Sequence, residues 1–296
     1  MTEAALGAHG PAAPRARLRR LFAPGSTMIL AVPAVLLLCG VFVAAVLMVL
    51  AISFTDPEPG LGNYAQLLNS PAIQTIFVKT LAISAVVTLL AIMLGYVIAF
   101  TMVFSSSRWQ LVILACVLIP LWSSVLIRAF AWVTLLRSNG LVNQALMALG
   151  WIDFPLALMR NDTGVIIGMV HVLLPLATLP IYSAMKGIDL RLLQAARSLG
   201  AREHQAIVGV FAPLTVPGVA ASAVLVFVTA LGFYVIPAIL GGGKTVLLTE
   251  YIEVQISATL RWGLGTMLAT VLLAVVGCLL ALGARLPALR QRFASF

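Results

Sequence analysis

A few groups of residues in this chain have the types that site chemistry uses. Gly241-Gly242-Gly243-Lys244-Thr245 carries the glycines, lysine and hydroxyl with which a phosphate-binding loop cradles a nucleotide: backbone amides face the phosphates and the lysine offsets their charge. The first glycine of that pattern would fall at Ala238 and no strand pattern precedes it, so the nucleotide reading is set aside. His171 and Arg128 stand within apolar runs, where an ionisable group is a candidate for function. For His171 the preferred reading is a ring hydrogen-bonded to a neighbouring helix, because no serine or aspartate spacing around it suits a hydrolase. For Arg128 two readings stand level, a side chain snorkelling to an interface and a residue of a transport path. Cys39, Cys116 and Cys278 show no metal-ligand spacing and read as small core or lipid-facing residues.

The stretch from Leu192 to Val219 is a polar, charged island between two long apolar runs. Leu190 to Leu199 is rich in good helix formers, and Gly200 stands where a left-handed residue would end that helix. A second short helix is expected from about Ala201 to Phe211, stopped by Pro213. Ala195 and Ala196 leave little bulk, so the groove of another protein can close over the first helix.

The elements that must position these residues are membrane spans. The chain is 62% hydrophobic and 9% charged, with mean hydropathy +1.11, whereas soluble domains carry roughly 25% charged residues. A hydrocarbon layer about 30 Å thick needs about 20 apolar residues per helix. Six runs qualify, approximately Met28 to Ile52, Ile76 to Phe104, Leu111 to Leu136, Gly164 to Met185, Leu214 to Leu240 and Gly263 to Leu286. Regular strands of alternating polarity are missing, which argues against a barrel. The expected fold is an all-α membrane protein with six transmembrane helices.

The net charge of +9 invites a nucleic-acid reading, which the placement of the charges opposes. With the N-terminus inside, twelve basic residues fall on the cytoplasmic side: Arg15, Arg17, Arg19, Arg20, Arg108, Lys186, Arg191, Arg197, Arg202, Arg285, Arg290 and Arg292. The other side receives Arg137, Arg160, Lys244 and Arg261 with six acids, Asp56, Glu58, Asp153, Asp162, Glu250 and Glu253. That asymmetry obeys the positive-inside rule and places both termini and the Gln194 loop in the cytoplasm. Residues 1–25 read as a cytoplasmic tail, 26–288 as the membrane domain with a cytoplasmic loop at about 186–213, and 289–296 as a second tail. The first run exceeds the 7–15 residues typical of a signal peptide and is read as an uncleaved helix. On the outside, Thr55 to Ser70 is loop-like, with room for a partner to dock, and Leu141 to Trp151 reads as an interfacial helix. Pro175, Pro180, Pro217 and Pro237 are expected to interrupt the fourth and fifth helices and make them the path lining.

Gln194, Ala195, Ala196, Gly200 and Pro213 fall at the positions of the Glu-Ala-Ala, glycine and proline of the coupling loop in bacterial ABC importer permeases, which this island resembles. Glutamine stands in place of the usual glutamate. Pro120 to Asn143, with Pro120, Ser123, Arg128, Ala131, Trp132, Gly140 and Asn143, is similar to spermidine/putrescine permeases, as are Leu231 to Pro237 and Leu240 to Gly243. The resemblance implies a type I importer permease fold in the bacterial inner membrane. It implies a cytoplasmic ATPase dimer that carries the ATP, with no cofactor or metal in this chain, a second homologous permease or a second copy of the chain, and a periplasmic binding protein. Gln194, Ala195, Ala196, Gly200, Ala201 and Pro213 would then couple to the ATPase, while Pro120, Trp122, Ser123, Arg128, Phe233, Tyr234 and Pro237 would line the path. Iron, thiamine, opine and phosphonate permeases share much of this pattern. A secondary transporter would have similar hydropathy, but its coupling-ion sites usually need intramembrane carboxylates, and the acids here fall outside the six runs.

Overall fold

The computed structural model describes residues 24–285, with side chains from 32 to 283. Most of the expected tails at 1–25 and 289–296, with Arg15, Arg17, Arg19, Arg20, Arg290 and Arg292, lie outside the described residues. The chain divides into one unit up to Ala51 and a second from Ile52. The first is built on α1 (Pro24–Thr55), an apolar helix of 32 residues, long enough at 1.5 Å per residue to cross a membrane.

The second unit is helical throughout its described regular structure. Its long members are α3 (Pro71–Phe104), α7 (Asp162–Lys186), α10 (Ala212–Leu231) and α13 (Trp262–Arg285). Shorter ones are α2 (Gly62–Asn69), α4 (Ser107–Trp122), α5 (Val125–Leu136), α6 (Leu141–Ala148), α8 (Arg191–Ser198), α9 (Glu203–Ala206), α11 (Val235–Leu240) and α12 (Leu248–Ser257). The expected loop at Thr55 to Ser70 therefore contains a helix, α2. Its Asn63 is buried and donates to the carbonyls of Ser53 at 3.1 Å and Asp56 at 2.7 Å, bonds with partners outside its own turn that hydropathy does not register.

α7 is the central post. Its Val165, Met169, Leu173 and Ala177 pack with Ile83, Val87 and Ala91 of α3 and with Val226 and Ala230 of α10. In lipid, apolar contact alone gives little drive for helix association, so small residues and interhelical hydrogen bonds matter. Gly218 of α10 shows the first: a Cβ added there would lie 2.3 Å from the Ala184 Cβ of α7. Ser222 shows the second, donating to the Ala177 carbonyl at 3.0 Å. Two smaller clusters close the ends. One gathers Ala99, Ile181, Met185, Leu193, Ala206 and Phe211 at the α8 end; the other gathers Ile73, Leu248, Leu264, Met267 and Leu268 at the opposite end.

By length and composition six stretches can cross a membrane: Val32–Thr55, Pro71–Phe104, Val125–Ala148, Asp162–Lys186, Glu203–Leu231 and Trp262–Gly283. For the third, the contacts favour α4 with α5. A cavity of about 290 Å³ is lined by Pro120 of α4 and by His171 of α7. The Trp132 indole of α5 donates to His171 Nδ1 at 3.2 Å. His171 lies nine residues along α7 from Asp162, about 13 Å below that end of the helix. The break between α4 and α5 at Ser123-Ser124 thus sits within the bilayer depth, and the two helices, 16 and 12 residues long, make one interrupted crossing.

The positions of the interruptions differ from expectation. α7 continues through Pro175 and Pro180, and α10 continues through Pro217. The run expected as one helix from Leu214 to Leu240 instead ends at Leu231, and α11, with Pro237, is a separate short helix. Pro213 does not stop a helix either. The chain is helical from Glu203 to Leu231 because a π turn, Ile207–Phe211, precedes the proline. The N–H of Ala212 reaches the Ile207 carbonyl five residues back, and this wider turn relieves the clash a proline makes with the preceding turn.

Candidate functional site

The elbow formed by α8 and α9 follows from local chemistry. At its start the Asp189 carboxylate accepts from the Arg191 N–H at 2.9 Å. Leu193 is 5% exposed and plugs the cluster formed by the ends of α3 and α7, fixing the helix to the bundle by one side chain. At the other end Gly200 has φ +89°. Its N–H donates to the Arg197 carbonyl at 2.9 Å, and the Ala201 N–H donates to the Ala196 carbonyl at 3.1 Å. These are the two bonds of a Schellman ending, as the glycine's position predicts. Gln205 Oε1 accepts from the Arg202 N–H at 2.9 Å and begins α9. Arg197 and Glu203 clasp the two helices at 2.8 Å, on exposed side chains where such a pair contributes under about 1 kcal/mol.

Gln194, Ala195, Ala196, Gly200 and Ala201 are thus brought into one elbow, with Pro213 beyond the π turn. The two alanines divide their roles. Ala195 is exposed, whereas Ala196 is half-buried against the Leu193 cluster, so one faces outward and the other lets α8 lie close to its own bundle. Gln194 is exposed. Leu192 and Leu199 are open as well, Leu199 at 90% exposure, giving the elbow an apolar outer surface. Leu193 and the Arg197–Glu203 clasp escaped sequence reasoning; the i, i+3 spacing of Leu193 and Ala196, one face of a helix, was the available signal.

The expected path residues fall into two groups. Pro120 and Ser123 shape the break after α4, the Ser123 hydroxyl donating to the Pro120 carbonyl at 2.8 Å. Trp122 points away from the bundle, 90% exposed. Arg128 is 8% exposed, on the first turns of α5, so it does not snorkel to open surface. Phe233, Tyr234 and Pro237 belong to the second break, after α10. The Phe233 carbonyl accepts from the Thr249 hydroxyl at 2.7 Å, Tyr234 is 39% exposed and Pro237 is buried. α11 packs along α5 and against Gly168 of α7, where an added Cβ would meet Ile236 and Leu240 at 2.8 and 2.6 Å. The two breaks therefore sit on elements in mutual contact.

At the end opposite α8 a polar network binds three segments. Lys79 of α3 pairs with Asp162 at the start of α7 at 2.8 Å, and the Thr245 hydroxyl donates to the same Asp162 oxygen. Gly241 to Thr245 forms the turn that brings Thr245 there, with Gly242 and Gly243 at positive φ. The Leu248 N–H, at the start of α12, donates to Thr80 Oγ1 at 2.9 Å. On α12 the Glu250 Oε2 is buried without a partner, and burial together with the neighbouring Glu253 pushes the carboxyl above the ordinary glutamate range. His171, read as a helix-to-helix hydrogen bonder, is one, and Cys39, Cys116 and Cys278 are exposed.

The family model for inner membrane components of binding-protein-dependent transport systems matches residues 91–285. The spermidine/putrescine transport system permease protein PotB of Haemophilus influenzae is 33% identical over 241 residues, 78% of this chain and 84% of the relative. PotB of Escherichia coli K12 is 33% identical over 228 residues, 77% of this chain and 82% of the relative. PotC of E. coli K12 is 33% identical over 103 residues, 34% of this chain and 38% of the relative. Among solved structures, a bacterial ABC transporter involved in import of the acidic polysaccharide alginate gives a TM-score of 0.73 at 19% identity, covering 92% of this chain and 99% of that one, a likeness of fold. On a family match across residues 91–285 and this identity over most of its length, the chain belongs to the inner membrane components of binding-protein-dependent transport systems and is the permease subunit of an ABC importer.

Proposed function

We propose that this permease carries a small polyamine, putrescine or spermidine, into the cell. The observation that carries this reading is the 33% identity over 78% of the chain to a permease named for spermidine and putrescine transport. The charge asymmetry of the loops supports an orientation with both termini and the α8 elbow in the cytoplasm. ATP is bound and hydrolysed on a dimer of ATPase subunits docked on the elbow, where Gln194, Ala195, Ala196, Gly200 and Ala201 meet the partner. Pro213, through the π turn, sets the angle at which that movement enters α10.

The second half of the pore is a homologous permease, a role favoured by the parallel similarity to PotB and PotC. A periplasmic binding protein delivers the solute at the opposite end and supplies most of the selectivity. The solute then passes between the subunits along the two helix breaks, Pro120 to Arg128 and Phe233 to Pro237, where Phe233 and Tyr234 offer aromatic faces to ammonium groups.

The test is uptake of radiolabelled putrescine and spermidine by vesicles carrying the whole complex, with iron, thiamine and phosphonate as competitors. ATP-dependent accumulation of either polyamine is expected. Carriage of a competitor with both polyamines ignored would overturn the substrate and leave the importer standing.

A further inference from the structure

Arg128 is the one buried cation among the described residues, and it stands in no ion pair. It is 8% exposed, and its Nε and Nη1 are buried with no hydrogen-bond partner. The described residues hold two ion pairs, Lys79–Asp162 and Arg197–Glu203, and Arg128 is in neither. None of the described acids forms an ion pair with it. Asp56 accepts from the Gly263 N–H at 2.6 Å, Asp189 accepts from the Arg191 N–H, and Glu250, whose own Oε2 is buried without a partner, is held toward its neutral form by that burial. Glu58 and Asp153 lie in segments that join the helices and Glu253 lies on α12, and none of the three is in an ion pair. An uncompensated buried charge costs several kcal/mol, so a guanidinium kept there implies an anion supplied from outside the chain.

The backbone beside it has the same sign. The break at Ser123-Ser124 exposes the N-terminus of α5, a 12-residue helix whose Ser124 makes no side-chain cap. Its first N–H groups and helix dipole present positive potential within the membrane depth, as interrupted helices do where they hold anionic groups. Arg128 sits one turn into α5, and helical side chains lean toward the N-terminus, which aims the guanidinium at the break. His171, joined to Trp132 one turn further on, donates nothing of opposite sign.

We propose that the α5 N-terminus and Arg128 form an intramembrane carboxylate site, filled in the assembled transporter by an acidic side chain of the second permease subunit. This rests on the polyamine reading above: a polycation passing an uncompensated arginine would be repelled, and it has no carboxylate to lend. With the charge neutralised across the subunit interface, the break becomes a passable part of the path and the interface gains a fixed register. The same chemistry could come from a solute that itself bears a carboxylate, so the experiment separates the two sources.

Arg128→Gln and Arg128→Lys are made in the full complex, reconstituted in nanodiscs and in vesicles. Without solute, Arg128→Gln should weaken association of the two permeases by roughly 100-fold or more, since removing one member of a buried pair strands the other. Arg128→Lys should retain most of it. In the Arg128→Gln background, changing one intramembrane Asp or Glu of the second permease to its amide should restore association and uptake, because removing both charges leaves nothing stranded. If association is unchanged while Arg128→Gln weakens uptake of ornithine, a carboxylated putrescine, and leaves putrescine untouched, the site stands and the carboxylate is the solute's. Unaltered association together with unaltered uptake of both compounds overturns the proposal. So does equal loss in the Lys and Gln variants with no rescue by any amide. Failure of the polyamine reading would show separately, as a wild-type complex that ignores putrescine and spermidine while the association defect of Arg128→Gln persists.

Discussion

Gly200 offers a clean perturbation of the elbow, because the structure separates conformational strain from crowding. Its φ is +89°, and nothing lies within 4 Å of a Cβ built there. A side chain at this position therefore meets open space, and its cost is that of holding an L-residue in the left-handed region, about 1–2 kcal/mol. That energy reduces the population of the bent elbow relative to alternatives by a factor of about 5 to 30. Valine, stiff at χ1, should sit at the upper end, and asparagine, which tolerates the left-handed region, near the lower end. The assay is substrate-stimulated ATP hydrolysis and uptake by the reconstituted complex, with membrane insertion of the permease and binding-protein docking as controls. Gly200→Val should insert and dock normally while both activities fall by up to an order of magnitude or more, and Gly200→Asn should retain most of each. If Gly200→Val transported at the wild-type rate, or if valine and asparagine fell equally, the elbow's dependence on a left-handed residue would be refuted.

Other changes test neighbouring parts of the argument. Pro213→Ala frees the residues before it to revert from π to α winding, which would rotate α9 by about 100° relative to α10; site-directed cross-linking from Arg202 to the ATPase should shift by one position, and an unchanged pattern would deny the proline its role. Gly218→Leu forces a side chain into Ala184, whose Cβ lies 2.3 Å from an added Cβ, and should lower the thermal stability of the purified complex by about 1–3 kcal/mol, whereas Gly209→Ala, facing open space, should be nearly silent. Asp162→Asn breaks a pair whose side chains are 31% and 51% exposed, so its loss, read as a change in melting temperature, should stay under about 1 kcal/mol. Glu250 has a folded-state pKa raised above the unfolded value by burial, so its contribution is fully present below the ordinary glutamate range and is lost as pH rises through the raised value. Glu250→Gln should flatten the fall in stability across that window, and an identical pH profile would contradict the burial. Gln194→Glu, restoring the acid usual in the family at an exposed position, should leave uptake unchanged.

Much of this permease was legible from residue order, for reasons of range. Membrane spans depend on apolar length, which is counted along the chain, so α3, α7 and α13 were placed within a few residues of their positions. The elbow was legible because a helix ending in a left-handed glycine is decided within about six residues, and the bonds at Gly200 and Ala201 are those the spacing implied. Prolines misled in one direction, as breaks that do not occur. Pro175, Pro180 and Pro217 are absorbed by continuous helices, and Pro213 is passed through a π turn, because neighbouring turns can reorganise to satisfy the freed groups.

The breaks that do occur fall instead at Ser123-Ser124 and after Leu231, where hydropathy over a long window has little to register. The same limit hid the pairing of Lys79 with Asp162, 83 residues apart in sequence, and the isolation of Arg128. By itself the sequence determined the membrane class, the elbow and the family, since each depends on composition or on contacts within a turn or two. Which helices break, which alanine faces outward and which charge is left without a partner were decided only by tertiary structure, because each depends on what a distant segment brings to the same place.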